Sequence, residues 1–193
     1  MTKRPPVSID IGVPVPAVAR RHHARGAIVV RRSLSAGLLV VLFGTAATRI
    51  AFADSSAPGT AAYHRGNYTR AVRELTPLAE RGNARALARL GFMYEHGFGV
   101  PQAYVPAADL YARAAAQGNP SAQAMLGLMY DKGHGVPQNF VLAYKWLDLA
   151  AAHAPARQRE TYLRLRDAVS SKMSSDEIAE GQRLAFNWRP ERW

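Results

Sequence analysis

Residues 91–102 read Gly-Phe-Met-Tyr-Glu-His-Gly-Phe-Gly-Val-Pro-Gln, and residues 127–138 read Gly-Leu-Met-Tyr-Asp-Lys-Gly-His-Gly-Val-Pro-Gln. The second stretch begins 36 residues after the first, and the same offset reaches outward on both sides. Ala86 pairs with Ala122, Leu90 with Leu126, Tyr104 with Phe140, Ala107 with Ala143, and Ala114-Ala115 with Ala150-Ala151. Upstream, Ala71 pairs with Ala107 and Gly82-Asn83 with Gly118-Asn119. A fixed period of this length marks a stacked array of supersecondary units, each burying its apolar face against the next.

Each unit reads as two helices. Ala86, Leu90, Met93 and Tyr94 fall at helical spacing, as do Ala122, Leu126, Met129 and Tyr130. Asn83 and Asn119 are suitable N-caps, and Pro120 suits a first helical turn. The Gly-x-Gly-Val-Pro-Gln stretch ends the helix, because glycine accepts positive φ and proline drives Val100 and Val136 out of the helical region. A second helix is expected over about 104–117 and again over 140–153. A shortened unit precedes them: a helix at 61–65, a tight Gly66-Asn67 turn, and a helix over 68–81. The units are therefore 61–83 (partial), 84–119 and 120–155.

Beyond the units, Tyr162, Leu165, Val169 and Met173 share one helical face. Ser174 and Glu177, three apart, form a capping box opening a helix with Ile178, Leu184, Ala185 and Trp188 that stops before Pro190. A repeat array needs atypical end units over its last apolar face, and residues 156–190 read as that capping pair. The Arg-rich final residues are expected to fray. The fold class expected is all-α: a short α-solenoid of helix–turn–helix repeats with a C-terminal capping helix pair.

The first 53 residues differ in kind. They hold eight of the 25 basic residues and one acid, Asp10. Residues 54–193 hold 17 basic and 13 acidic residues, a net charge of +4, without a concentrated basic stripe, so no nucleic-acid partner is expected. Arg31-Arg32 precede an apolar run from Ala36 to Ala47, too short for a bilayer span of roughly 20 residues and right for a signal core. Ala51-Phe52-Ala53 is a small-x-small site, so cleavage is expected after Ala53, with 54–193 as the mature domain. The competing reading is an uncleaved anchor holding the domain at the inner membrane. The expected location is periplasmic or secreted, with membrane contact only through this segment.

The repeat residues resemble the Sel-one-like repeat family, a relative of the tetratricopeptide repeat. The pattern carrying the resemblance is Ala-x-x-x-Leu-Gly-x-Met-Tyr-x-x-Gly-x-Gly-Val-Pro-Gln, then an aromatic, a spaced Ala and a terminal Ala-Ala, over residues 61–155. Leu110 stands where the family often has Trp, which Trp146 keeps in the next copy. The chain has no Cys, so it departs from the disulfide-stapled branch. The resemblance implies a non-enzymatic interaction module, an adaptor, scaffold or regulator of the bacterial cell envelope. Two alternatives accompany it: an enzyme or binder acting on cell-wall or β-lactam-like material, and a membrane-anchored structural component.

Chemistry bearing on these alternatives is sparse. Gly97-x-Gly99 and Gly133-x-Gly135 join two helices, whereas a phosphate loop follows a strand and opens a helix. His64, His96, His134 and His153 lack metal-ligand spacing, so no metal and no cofactor are expected. No nucleophile stands beside a base, so no catalytic residue is assigned. A partner surface is placed by resemblance on the first helices of the repeats, which line the concave side of related arrays. Arg85, Arg89, Phe92 and His96 share one face there, matched by Ser121, Met125, Leu128 and Lys132. The same residues could instead meet the neighbouring repeat or water. Their mix of cations and apolar groups suits a protein or peptide with acidic and apolar residues.

Overall fold

The computed structural model describes residues 57–191, so the signal segment 1–53 and the cleavage point after Ala53 lie outside the described residues. Among the described residues all regular structure is helical: α1 (Ala57–His64), α2 (Tyr68–Glu80), α3 (Ala84–His96), α4 (Tyr104–Ala116), α5 (Pro120–Lys132), α6 (Phe140–His153), α7 (Ala156–Ser170) and α8 (Ser175–Phe186). Consecutive helices from α1 to α7 pack on one another along the array, and α8 returns onto α6.

The helix starts follow from asparagine. The Asn83 and Asn119 side chains accept from the Ala86 and Ala122 amides, each at 3.0 Å. Asn67 and Asn139 do the same at α2 and α6. These bonds satisfy amides that would otherwise face the helix end unpaired. The one departure within the period is α4, where Ala103 stands in place of Asn139 and no side chain caps the helix. The stops also repeat: Gly97 and Gly133 take the left-handed conformation at φ 72° and 70°, closing the helix as the loop residues require.

Alanine decides how close the helices come. Ala86, Ala107, Ala114 and Ala115 in one repeat, and Ala122, Ala143, Ala150 and Ala151 in the next, are buried. Larger side chains fill the gaps between them, Leu87, Leu90, Met93 and Tyr111 in the first copy and Leu126, Met129 and Leu147 in the second. Two apolar clusters result, one from α1 to α5 and one from α5 to α7, with Met125 packed against both. A continuous core shared by neighbouring units is what makes a short array stable.

The capping pair forms as expected, with Ser174 and Glu177 exchanging bonds: the Ser174 amide donates to Glu177 Oε2 at 2.8 Å and the Glu177 amide to Ser174 Oγ at 3.3 Å. Arg166 of α7 pairs with Asp148 of α6 at 2.8 Å, and Gly181 of α8 lets the Tyr144 ring approach its backbone. Two boundaries differ from the sequence reading. α1 begins at Ala57 rather than near 61. At the other end α8 stops at Phe186, and residues 187–191 are held rather than frayed, while 192–193 lie outside the described residues. Trp188, past the helix, packs on Trp146 and His153 with ring centroids 6.5 Å and 5.2 Å away, and the Glu191 amide donates to the Ala116 carbonyl at 2.9 Å. An indole recovers enough apolar burial to order a short tail that charge counting alone would leave in water.

Candidate interaction surface

The eight residues expected to form a partner face divide by exposure. Arg85, His96, Ser121 and Lys132 are exposed, whereas Arg89, Phe92, Met125 and Leu128 are partly buried. Phe92 and Met125 pack against the first apolar cluster. In the first repeat the face is tied into an aromatic group. Phe92 and His96 stack at 4.0 Å, His96 Nδ1 lies 3.0 Å from the Phe92 carbonyl, and the Arg89 guanidinium sits 4.7 Å over the Tyr63 ring of α1. Tyr63 thus covers part of what the period alone suggests is open surface.

Other recurring contacts are absent from the sequence reading. Tyr68 stacks on Phe98 at 4.7 Å, and 36 residues on Tyr104 meets His134, also at 4.7 Å. A third step places the Lys172 ammonium 5.4 Å over the Phe140 ring. The first residue of each second helix is therefore aromatic because it receives the loop of the following unit. Gln102 and Gln138, the ends of the two Gly-Val-Pro-Gln loops, donate to the Glu95 and Asp131 carbonyls at 2.8 Å and 2.7 Å. That latch explains why Gln recurs beside Pro. Identity at the 36-residue offset was the signal available for both contacts.

Between repeats, Gln117 donates to the Gly82 carbonyl at 2.8 Å and Gln123, fully buried, to the Ala115 carbonyl at 3.2 Å. The Gln123 side-chain oxygen lies 3.1 Å from His153 Nδ1, which makes that nitrogen the donor. These groups satisfy helix-end carbonyls, a structural task. Among the described residues no cluster of three or more His, Cys, Asp and Glu could hold a metal ion, and no helix is long and apolar enough to cross a membrane.

Tyr111 is the most deeply buried aromatic, and its hydroxyl donates to Glu95 at 2.8 Å. Burial first, and the Glu95 carboxylate second, push its phenol well above the ordinary value. An unfolded tyrosine ionises near pH ~10, whereas this one stays protonated in the fold. Its contribution is therefore complete below that pH and lost as pH rises through the folded value. Tyr111→Phe is expected to cost about 1 kcal/mol at neutral pH through the unpaired carboxylate. The difference from wild type should then shrink above pH ~10 in urea melts. Parallel loss of stability in both proteins would show that Tyr111 plays no part in the alkaline limb.

Comparison with known proteins agrees with this geometry. Residues 84–119 and 120–154 match the Sel1 repeat family. A crystal structure of a protective antigen of uropathogenic Escherichia coli with an SLR fold superposes with a TM-score of 0.64 at 24% identity, over 69% of this chain and 29% of that one. A Sel1 repeat protein from Oxalobacter formigenes superposes with a TM-score of 0.55 at 27% identity, over 69% of this chain and 56% of that one. The chain thus spans less than two thirds of the length of either. A search of curated proteins gives no match. Residues 84–154 are thus matched as two tandem Sel1 repeats, flanked by a helical pair at each end.

Proposed function

We propose that this protein is a non-enzymatic adaptor, scaffold or regulator that binds another protein or peptide in the bacterial cell envelope. Sel1-repeat proteins generally mediate protein–protein interaction. The observation that carries the reading here is a division of labour along the period. Positions alike in both copies, such as Ala86 and Ala122 or Leu90 and Leu126, are buried. Exposed positions on the first helices differ between copies: Arg85 against Ser121, His96 against Lys132. Exposed surface that varies between copies is surface available for selection by a partner. Export is supported by the sequence alone, through the basic pair, short apolar run and small-x-small site of residues 31–53.

Affinity capture from an envelope extract tests the reading. The full chain is expected to retain a specific protein that a Ser121→Arg, Lys132→Glu double variant loses. Both residues are exposed, so the double variant should melt as wild type does. Turnover of a wall fragment or a β-lactam by the purified chain would sink the non-enzymatic reading. Mass spectrometry of the exported protein is expected to give Asp54 as its first residue, and an intact N-terminus would favour the anchored form.

A further inference from the structure

We propose that the groove between α2 and α4 takes an extended peptide of a partner protein in which an aromatic side chain stands beside a basic one. This rests on the reading of the chain as an interaction module but uses a different surface from the α3 and α5 face. The groove has a volume of about 250 Å³, with Leu90 and Tyr94 of α3 and Leu110 of α4 among its lining. That is below the ~300–1,000 Å³ of small-molecule sites, and fits a single anchoring side chain of a longer segment.

The molecule supplies its own template for the occupant. One period later, two of the corresponding positions, Ala116 on α4 and Trp146 on α6, are met by the tail of this same chain. Trp188 packs edge-on against Trp146, its ring reaches within 3.5 Å of where a Cβ on Gly118 would stand, and the Glu191 amide donates to the Ala116 carbonyl. Ala116, Gly118 and Trp146 correspond through the 36-residue offset to Glu80, Gly82 and Leu110. Glu80 and Leu110 line the first groove, which therefore shares two positions with the site on which an extended, Trp-bearing segment lies one period later. Leu110 is smaller than Trp146 and borders an open groove, so an indole or phenyl ring from outside can pack on Leu110 as Trp188 packs on Trp146.

Charge selects the neighbour of that ring. The second groove carries Lys145 where the first carries Asp109 and Ala116 where the first carries Glu80, and the segment lying on the second brings Glu191. The first groove has one cation, Arg113, which already donates to the Ala79 carbonyl at 3.2 Å and stands 3.9 Å from Asp109. The rim is thus net acidic, with Glu80 and Asp109 against Arg113, the reverse of the second groove. A Lys or Arg next to the anchor meets that rim, whereas an acidic neighbour is repelled.

The test uses the full chain and, as probe, a synthetic peptide of residues 186–193, Phe-Asn-Trp-Arg-Pro-Glu-Arg-Trp, which carries aromatic residues beside arginine. Binding followed by NMR is expected to shift the Leu90 and Leu110 methyl signals with a dissociation constant of roughly 10 μM to 1 mM. Leu110→Asp, which puts a charge where the ring would pack, should abolish the shift at Leu90. The exposed charge reversal Glu80→Lys should weaken binding about tenfold, equivalent to about 1.4 kcal/mol, and decides the matter even if Leu110→Asp folds poorly. A peptide with both tryptophans replaced by alanine should not bind. The proposal is overturned if wild type shows no shift at Leu110, if shifts gather only around Trp146, or if Glu80→Lys binds as wild type does. Such a result would leave the capture experiment on Ser121 and Lys132 standing, so the two readings fail separately.

Discussion

Replacing Gly135 by alanine is expected to lower the unfolding free energy by about 3 kcal/mol, while the same change at Gly66 costs about 1 kcal/mol. The two glycines share a backbone conformation, φ 71° at Gly135 and φ 74° at Gly66. Forcing an L-residue into that left-handed region costs roughly 1–2 kcal/mol by itself. They differ in what a Cβ would meet. At Gly66 nothing lies within 4 Å, whereas at Gly135 the added carbon would run into the Tyr104 carbonyl. A backbone carbonyl at the start of a helix cannot rotate away as a side chain could, so the loop or α4 must shift, at about 1–3 kcal/mol more. For a domain of this size the Gly135 variant should melt about 10 °C lower. Equal melting temperatures for the two variants would mean that the close approach between loop and preceding repeat contributes nothing.

The repeat makes that prediction general. Gly99 meets the Tyr68 backbone, a Cβ there standing 2.7 Å from the Tyr68 carbonyl carbon. The Gly-x-Gly spacing thus joins two different requirements. Gly97 and Gly133 close a helix, while Gly99 and Gly135 admit the backbone of the unit before. Neither resembles a phosphate cradle, whose amides would open a helix toward a ligand.

Much of the fold was legible because each signal was duplicated. Asn83 and Asn119 announce helix starts, Gly97 and Gly133 announce stops, and the second copy confirms the first. The capping box of Ser174 and Glu177 is a local device and was equally readable. What the sequence hid were contacts between distant segments with a single occurrence. Trp188 reads as part of the α8 face by spacing, yet it belongs to a tail that crosses to Trp146 and His153. The expected surface was half legible for a related reason. Periodicity places Arg89 and Phe92 on one face, but only the packing of α1 reveals Tyr63 against them. Glutamine latches such as Gln102 to the Glu95 carbonyl were visible as identities without a cause.

Leu147→Ala is expected to cost about 3 kcal/mol, within the ~2–5 kcal/mol typical of buried leucine truncation. Leu147 is fully buried on α6, and its packing explains the helical glycine that both repeats carry. A Cβ on Gly127 would stand 2.8 Å from Leu147 Cγ and 3.1 Å from the Ala143 carbonyl oxygen. In the other copy the same position, Gly91, would meet the Tyr111 ring at 2.9 Å. A glycine inside a helix gives up about 1 kcal/mol of helix propensity relative to alanine, and here that loss lets α5 and α6 approach. Gly127→Ala alone should therefore destabilise by about 1–2 kcal/mol, overpacking outweighing propensity. Combined with Leu147→Ala, the new methyl enters space the leucine has left, and the pair should cost about 1 kcal/mol less than the two single changes added. The relief is partial, because the Ala143 carbonyl remains in place. A double-mutant cycle from urea titrations measures this directly. Strict additivity would mean that the glycine serves some need other than the approach of Leu147, and the link between the recurring glycine and helix spacing would fall.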